Sequence, residues 1–293
     1  MATIDNGIIK VGVDAHGAEL LSIVKDGKEY VWQADPQYWA RHAPILFPIV
    51  GKVWNDEYRV DGRTYNLPQH GFARDTDFTL IKQTEDELIY ALDSNENTLS
   101  KYPYKFHLEA RYTLEGSTVH IVWKVVNTDS KNIFCSIGAH PAFNYPEFSK
   151  EDDIHAYAEL FDEEENKLDN LNISVLGAKG CCTEGKQPFA IEGGILPLKA
   201  CTFDADAIIQ EDSIVKKVTL LDKQKNPYLS LYSKCSEVMA IWSPVKKDAP
   251  FVCLEPWLGR ADMVEYTGEY SKKDWIHELG VAEELEFDYS ITV

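Results

Sequence analysis

Basic residues are scarce in this chain: 29 lysines and arginines stand against 48 aspartates and glutamates, a formal charge of −19. A surface this acidic repels phosphate backbones and anionic headgroups, so nucleic acid and membrane surfaces are poor partners. A small neutral ligand fits better, and an anionic one needs its own basic cluster. Apolar runs are short. None approaches the roughly 20 residues of a membrane-spanning helix. The start, Met-Ala-Thr-Ile-Asp-Asn-Gly, has neither the basic opening nor the apolar centre of an export signal. The six cysteines, Cys135, Cys181, Cys182, Cys201, Cys235 and Cys253, form no CxxC pair and no zinc spacing. They are expected as reduced thiols in a cytoplasmic chain. Signature motifs are missing too: there is no HExxH, no GxSxG and no GxGxxG. Gly180 to Lys186 fits GxxxxGK, but Gln187 stands where Ser or Thr is required and Pro188 blocks the following helix.

Helical signals are also few. Residues 35–40, 158–166 and 270–279 could each hold a short helix. Strand signals recur instead, starting with the apolar run 8–13. Asp26-Gly27 separates 20–24 from 30–32, and Asp61-Gly62 separates 58–60 from 64–67. Asp-Gly readily takes the left-handed angles of a tight hairpin. Residues 109–126 predict a third hairpin turning near Glu115-Gly116, with Val119, Ile121, Trp123 and Val125 on one face. Residues 218–221 and 228–232 predict a fourth, across Lys225-Asn226-Pro227. At the end, Leu285, Phe287, Tyr289, Ile291 and Val293 alternate with polar residues, a strand with one wet face. Many strands, short turns and little helix predict an all-β fold, a large antiparallel β-sandwich. No linker, repeat or low-complexity tract divides residues 1–293, so one domain is expected.

Residues 251–257 read Phe-Val-Cys-Leu-Glu-Pro-Trp. Four apolar residues predict a strand covered on both faces, ended by Glu255 and Pro256. A carboxylate there, against Trp257, is partly desolvated, and its pKa rises toward the range of a general base. The plainer alternative is an acid paired with an arginine such as Arg260, or one exposed at a strand end. His140, in Gly138-Ala-His-Pro141, lies among small and apolar residues. It is a candidate proton carrier or a core histidine held by a carbonyl. Gln69, His70, Arg74 and Asp75 crowd polar groups into one loop, either as donors to an oxygen-rich ligand or as partners of each other. Residues 32–51, dense in aromatics and prolines, could stack on sugar rings or plug one end of a sandwich.

Taken together and in order, Gly17-Ala-Glu-Leu20, Ala43-Pro-Ile-Leu-Phe-Pro-Ile-Val-Gly51, Gln69-His-Gly-Phe-Ala-Arg74, Gly138-Ala-His-Pro141 and Leu254-Glu-Pro-Trp257 resemble the aldose 1-epimerase (mutarotase) family, closest to its LacX-like branch. The resemblance implies a β-sandwich of the galactose-mutarotase type. It implies Glu255 as general base and His140 as general acid, with His70 and Arg74 at substrate-binding positions. An acid before an apolar pair in the family holds sugar hydroxyls; Asp206 is the match, with Asp204 as the other register. Lys52 and Trp257 complete the substrate-binding candidates. No metal and no cofactor is implied. Lys52 follows Gly51 where the galactose-type branch carries Asn-Arg, and Gln-His-Gly-Phe replaces Leu-His-Gly-Gly, which counts against galactose as the physiological substrate. The expected partner is a hexose, neutral rather than phosphorylated, met by a monomer or homodimer. A hexose 6-phosphate epimerase and a non-catalytic sugar-binding protein are the alternatives. A glycosidase would have to pair Glu255 with Asp206 and would leave His140 idle.

Overall fold

The computed structural model describes residues Met1–Val293, and its two large sheets are antiparallel throughout. A nine-stranded sheet runs from Leu196–Leu198 at one edge to Thr79–Gln83 at the other. Its centre is Phe106–Glu115, Thr118–Asn127 and Glu284–Thr292. An eight-stranded sheet holds Phe251–Leu258 between Val238–Trp242 on one side and the pair Ile137–Ala139 and Ala142–Asn144 on the other. One cluster of 64 buried residues joins the facing sides of the sheets, with Trp123, Phe287 and Tyr289 from the first and Ile208, Ile241 and Leu254 from the second.

The Asp-Gly hairpins form as expected. Asp26 and Gly27 have φ of 53° and 76°, and Asp61 and Gly62 have 52° and 71°, the double left-handed geometry of a two-residue turn. After Asp26-Gly27 the second strand is only Lys28–Glu29, shorter and earlier than expected. Register pairs Glu115 with Thr118, so the third turn is Gly116-Ser117.

The three expected helices are absent. Residues 158–166 fall in the strand Ala156–Phe161 and the acidic turn after it. Ala156, Ala158 and Leu160 alternate into the core with a period of two, which decides for strand. Residues 35–40 are turns, and 270–279 hold a single 3-10 turn, Tyr270–Lys272, then the strand His277–Leu279. The only α-helix is Glu96–Lys101. Asn95 caps it, its side chain accepting from the Asn97 and Thr98 N–H groups. It sits in a polar connection without an apolar stripe, so periodicity could not reveal it.

Candidate active site

Every residue of Phe251–Leu258 is buried, and the strand does not end at Glu255. Val252, Leu254 and Leu258 face the main core. Phe251, Cys253 and Trp257 face the other way, into two smaller clusters, and Glu255 shares that face. Register then builds the site. Gly138 pairs with Trp257 and Ala142 with Cys253, which puts His140 directly across from Glu255. Ala240 flanks Glu255 on the other side and, being small, leaves room above the carboxylate. A Cβ on Gly138 would stand 2.5 Å from the Trp257 ring, so only glycine lets the indole lie there.

Pro256 is tolerated inside the strand for a definable reason. Between the two paired segments lie His140 and Pro141, and the ladder there is already incomplete. Leu254 N–H still donates to the Pro141 carbonyl at 3.1 Å. The Ala139 carbonyl, which Pro256 cannot serve, accepts from the Trp257 indole at 3.2 Å. Two prolines thus bracket the one position in the sheet where facing side chains are titratable.

His140 Nε2 and Glu255 Oε2 are 3.2 Å apart, with both side chains almost wholly buried. Burial pushes the imidazole down to about 3, with Arg74 and Arg41 acting in the same direction. Burial, and then the charge of Asp206, holds the Glu255 carboxyl well above its ordinary range. Trp39 stacks on the imidazole with centroids 4.8 Å apart, and Trp242 meets it edge-on at 5.5 Å. No protein group bonds His140 Nδ1, so its tautomer is set at Glu255 alone.

His70 meets His140 edge-on at 5.6 Å. Gly51 N–H donates to His70 Nδ1 at 3.1 Å, so the neutral ring carries its proton on Nε2 as a donor. Burial, then His140 and nearby cations, holds His70 well below the usual histidine range, which keeps it neutral. Its loop is locked by Gly71 (φ 71°), where a Cβ would stand 2.2 Å from the Phe47 carbonyl. These groups line a cavity of about 460 Å³, a size suited to a small ligand.

The sequence model of the aldose 1-epimerase family matches residues 1–275. The chain belongs to the aldose 1-epimerase family. It is 32% identical to the plasmid and chromosomal LacX proteins of Lactococcus lactis subsp. lactis, over 98% of its length and 97% of theirs. A galactose mutarotase related enzyme from Lactobacillus acidophilus superposes with a TM-score of 0.90 at 31% identity, over 99% of this chain and 96% of that one. A galactose mutarotase-like protein from Lactobacillus casei does so equally, at 0.90 and 31%, over 100% and 99%. The all-β sandwich is thus the galactose-mutarotase type.

In this aldose 1-epimerase family member, Glu255, His140, His70, Arg74, Asp206 and Trp257 all line the one cavity. Lys52 does not. It lines a separate cleft with Val53 and Lys179, 3.9 Å from Asp56, because the chain turns away after Gly51. Asp204 and Asp206 are both exposed, but Asp204 caps the 3-10 turn Ala200–Phe203 while Asp206 (φ 82°) lines the cavity. Arg260 lines the wall but bonds Glu211 at 2.9 Å and Asp274 at 3.1 Å, so it is not the partner of Glu255.

Arg74 donates to the Gln69 carbonyl at 2.6 Å and lies 3.8 Å from Asp75. Arg41 holds the same Asp75 at 2.9 Å. Burial, with Arg41 close by, lowers the Arg74 guanidinium to about 10. Glu19, from the motif Gly17-Ala-Glu-Leu20, accepts the backbone N–H groups of His42 and Ala43 at 2.8 and 2.9 Å and so fixes the segment that carries Arg41. Trp39 and Trp242 were not singled out by sequence. Trp39 sits in the aromatic-rich stretch 32–51, which was a usable signal; Trp242 ends an apolar run and carries none.

Proposed function

We propose that the chain interconverts the α and β anomers of a hexose by opening and reclosing the ring, with Glu255 and His140 as the proton carriers. The single observation that carries this reading is their direct contact at 3.2 Å on the floor of the cavity. The aldose loses the proton on O1 while the ring oxygen gains one. The C1–O5 bond breaks to give an aldehyde, the C1–C2 bond rotates, and O5 returns to the other face of C1. In the family's assignment Glu255 takes the O1 proton and His140 supplies the ring oxygen. On closure each reverses its part, so protons balance over one turnover. Burial makes the charge-free arrangement the resting one, with the proton on Glu255; a shift across the hydrogen bond to His140 sets up the reacting form. His70 Nε2–H, Asp206, Arg74 and Trp257 hold the sugar. The reading is tested by polarimetry on fresh α-anomers, free and 6-phosphorylated. A chain that binds these sugars without speeding anomerisation would be a sugar-binding protein instead.

The pH profile follows from the same burial. Adding a second proton to the pair must charge His140, whose pKa is pushed down to about 3. Removing the shared proton must charge Glu255, which is pushed up. The one-proton form therefore spans a wider window than free side chains would allow, lost only as pH falls toward the first value or rises through the second. Enzymatic kcat/KM is expected to stay flat from about pH 5 up through the ordinary histidine value of about 6.5, with no step there. A step there would mean that His140 titrates in contact with water.

A second reading, a hexose 6-phosphate substrate, draws on Arg41 and Arg74 lining the same cavity and sharing one carboxylate. Asp75 neutralises one of them, and Lys52 is not available, so a neutral hexose is preferred. Arg74→Ala is expected to weaken kcat/KM for glucose, galactose and glucose 6-phosphate alike. A phosphate preference of about tenfold, roughly 1.4 kcal/mol, lost in the variant, would reverse the choice.

A further inference from the structure

Cys253 has no part in the reaction proposed above. It lies two residues before Glu255 on the same strand face and is fully buried. With His140 across from Glu255, three different donors converge. An imidazole nitrogen, a thiol sulfur and a carboxylate oxygen all lie within 4.8 Å of one another, and no other trio of such groups meets in the chain. We propose that His140, Cys253 and Glu255 bind a zinc-like divalent ion, and that the ion shuts the active site.

The donor set selects the ion. A thiolate with an imidazole and a carboxylate suits zinc or cadmium, whereas magnesium and calcium take oxygen ligands. Zinc sits about 2.0–2.3 Å from such atoms, which places tetrahedral neighbours roughly 3.3–3.7 Å apart. His140 and Glu255, at 3.2 Å, are already close to that spacing. The Cys253 sulfur, within 4.8 Å of both, must move closer to reach the ion. His140 and Glu255 line the cavity, so the ion has a route in and a fourth position open to water. Binding releases the proton shared by the pair and the thiol proton to solvent. The metal then occupies both lone pairs that the proton transfers use. Only this inhibitory half rests on the proposed function; the site itself does not.

The test titrates wild type, Cys253→Ser and Cys253→Ala with zinc and with cadmium. Zinc is expected to inhibit anomerisation by the wild type, with activity restored by a chelator. Cadmium is expected to bind with one thiolate charge-transfer band per chain. Both variants should keep the metal-free kcat/KM, lose the band and need at least about tenfold more zinc for inhibition, as loss of a ligand costs no less than loss of an outer-shell partner. Should a buried serine hydroxyl unsettle the fold, the alanine variant carries the comparison. A band or an inhibition constant unchanged in the variants would overturn the proposal. A wild type without any turnover would defeat the proposed function, while the cadmium band and its dependence on Cys253 would still decide the site.

Discussion

Glu255→Gln is expected to lower kcat by about 10²–10⁴, the usual worth of one positioned proton transfer, while sugar affinity changes little. Glutamine has the shape of glutamate and cannot carry the proton. Loss of fold is not the expected cause. Burial already favours the uncharged carboxyl, so the neutral amide replaces a group held near neutrality and leaves no unpaired buried charge. The amide still faces His140 and can bond its ring nitrogen. Polarimetry gives the rate, and calorimetry with the same sugar gives the affinity. Near wild-type turnover would remove Glu255 from the mechanism; loss of binding with normal kcat would make it a substrate holder.

The fold was legible where physics is local. Asp26-Gly27 and Asp61-Gly62 announce their turns because left-handed angles are needed at adjacent residues, and the alternation in 285–293 announces its strand. Residues 158–166 misled because Ala158, Leu160 and the acids after them also fit a helical face. The neighbouring strands Lys217–Leu221 and Leu196–Leu198 settle which period is used. The end of the strand at Glu255 misled for a related reason. Proline forbids a ladder bond, but sequence does not show that the facing segment carries its own proline, Pro141, at the matching break.

The site was legible as a set of residue types and not as a geometry. That His140 faces Glu255 depends on cross-strand register over more than a hundred intervening residues. Lys52 illustrates the limit: it follows Gly51, whose N–H holds His70, yet its own side chain leaves the cavity. Trp39 and Trp242 enclose the imidazole; the first lies in the aromatic-rich stretch 32–51, whereas the second ends an apolar strand with no local mark of function.

His140→Asn is expected to lower kcat by about 10²–10⁴ with a much smaller change in affinity, since a donor to the ring oxygen acts in the transition state. Asparagine keeps polar atoms facing Glu255 but cannot pass a proton on. It also vacates part of the space between Trp39 and Trp242, so a modest rise in KM is expected as well. Were KM alone to change, His70 would be the next candidate. Its geometry argues against it: Nδ1 is taken by Gly51 N–H, so Nε2 cannot be resupplied through the ring, and burial opposes the charged form. The deciding measurement is the double variant Glu255→Gln with His140→Asn. Two groups that share one proton across 3.2 Å act as a unit. Removing the second should then cost little beyond removing the first, with the residual rate near that of either single variant. Losses that multiply instead would mean that the residues act independently, and that the proton passed to the ring oxygen is not the one held between them.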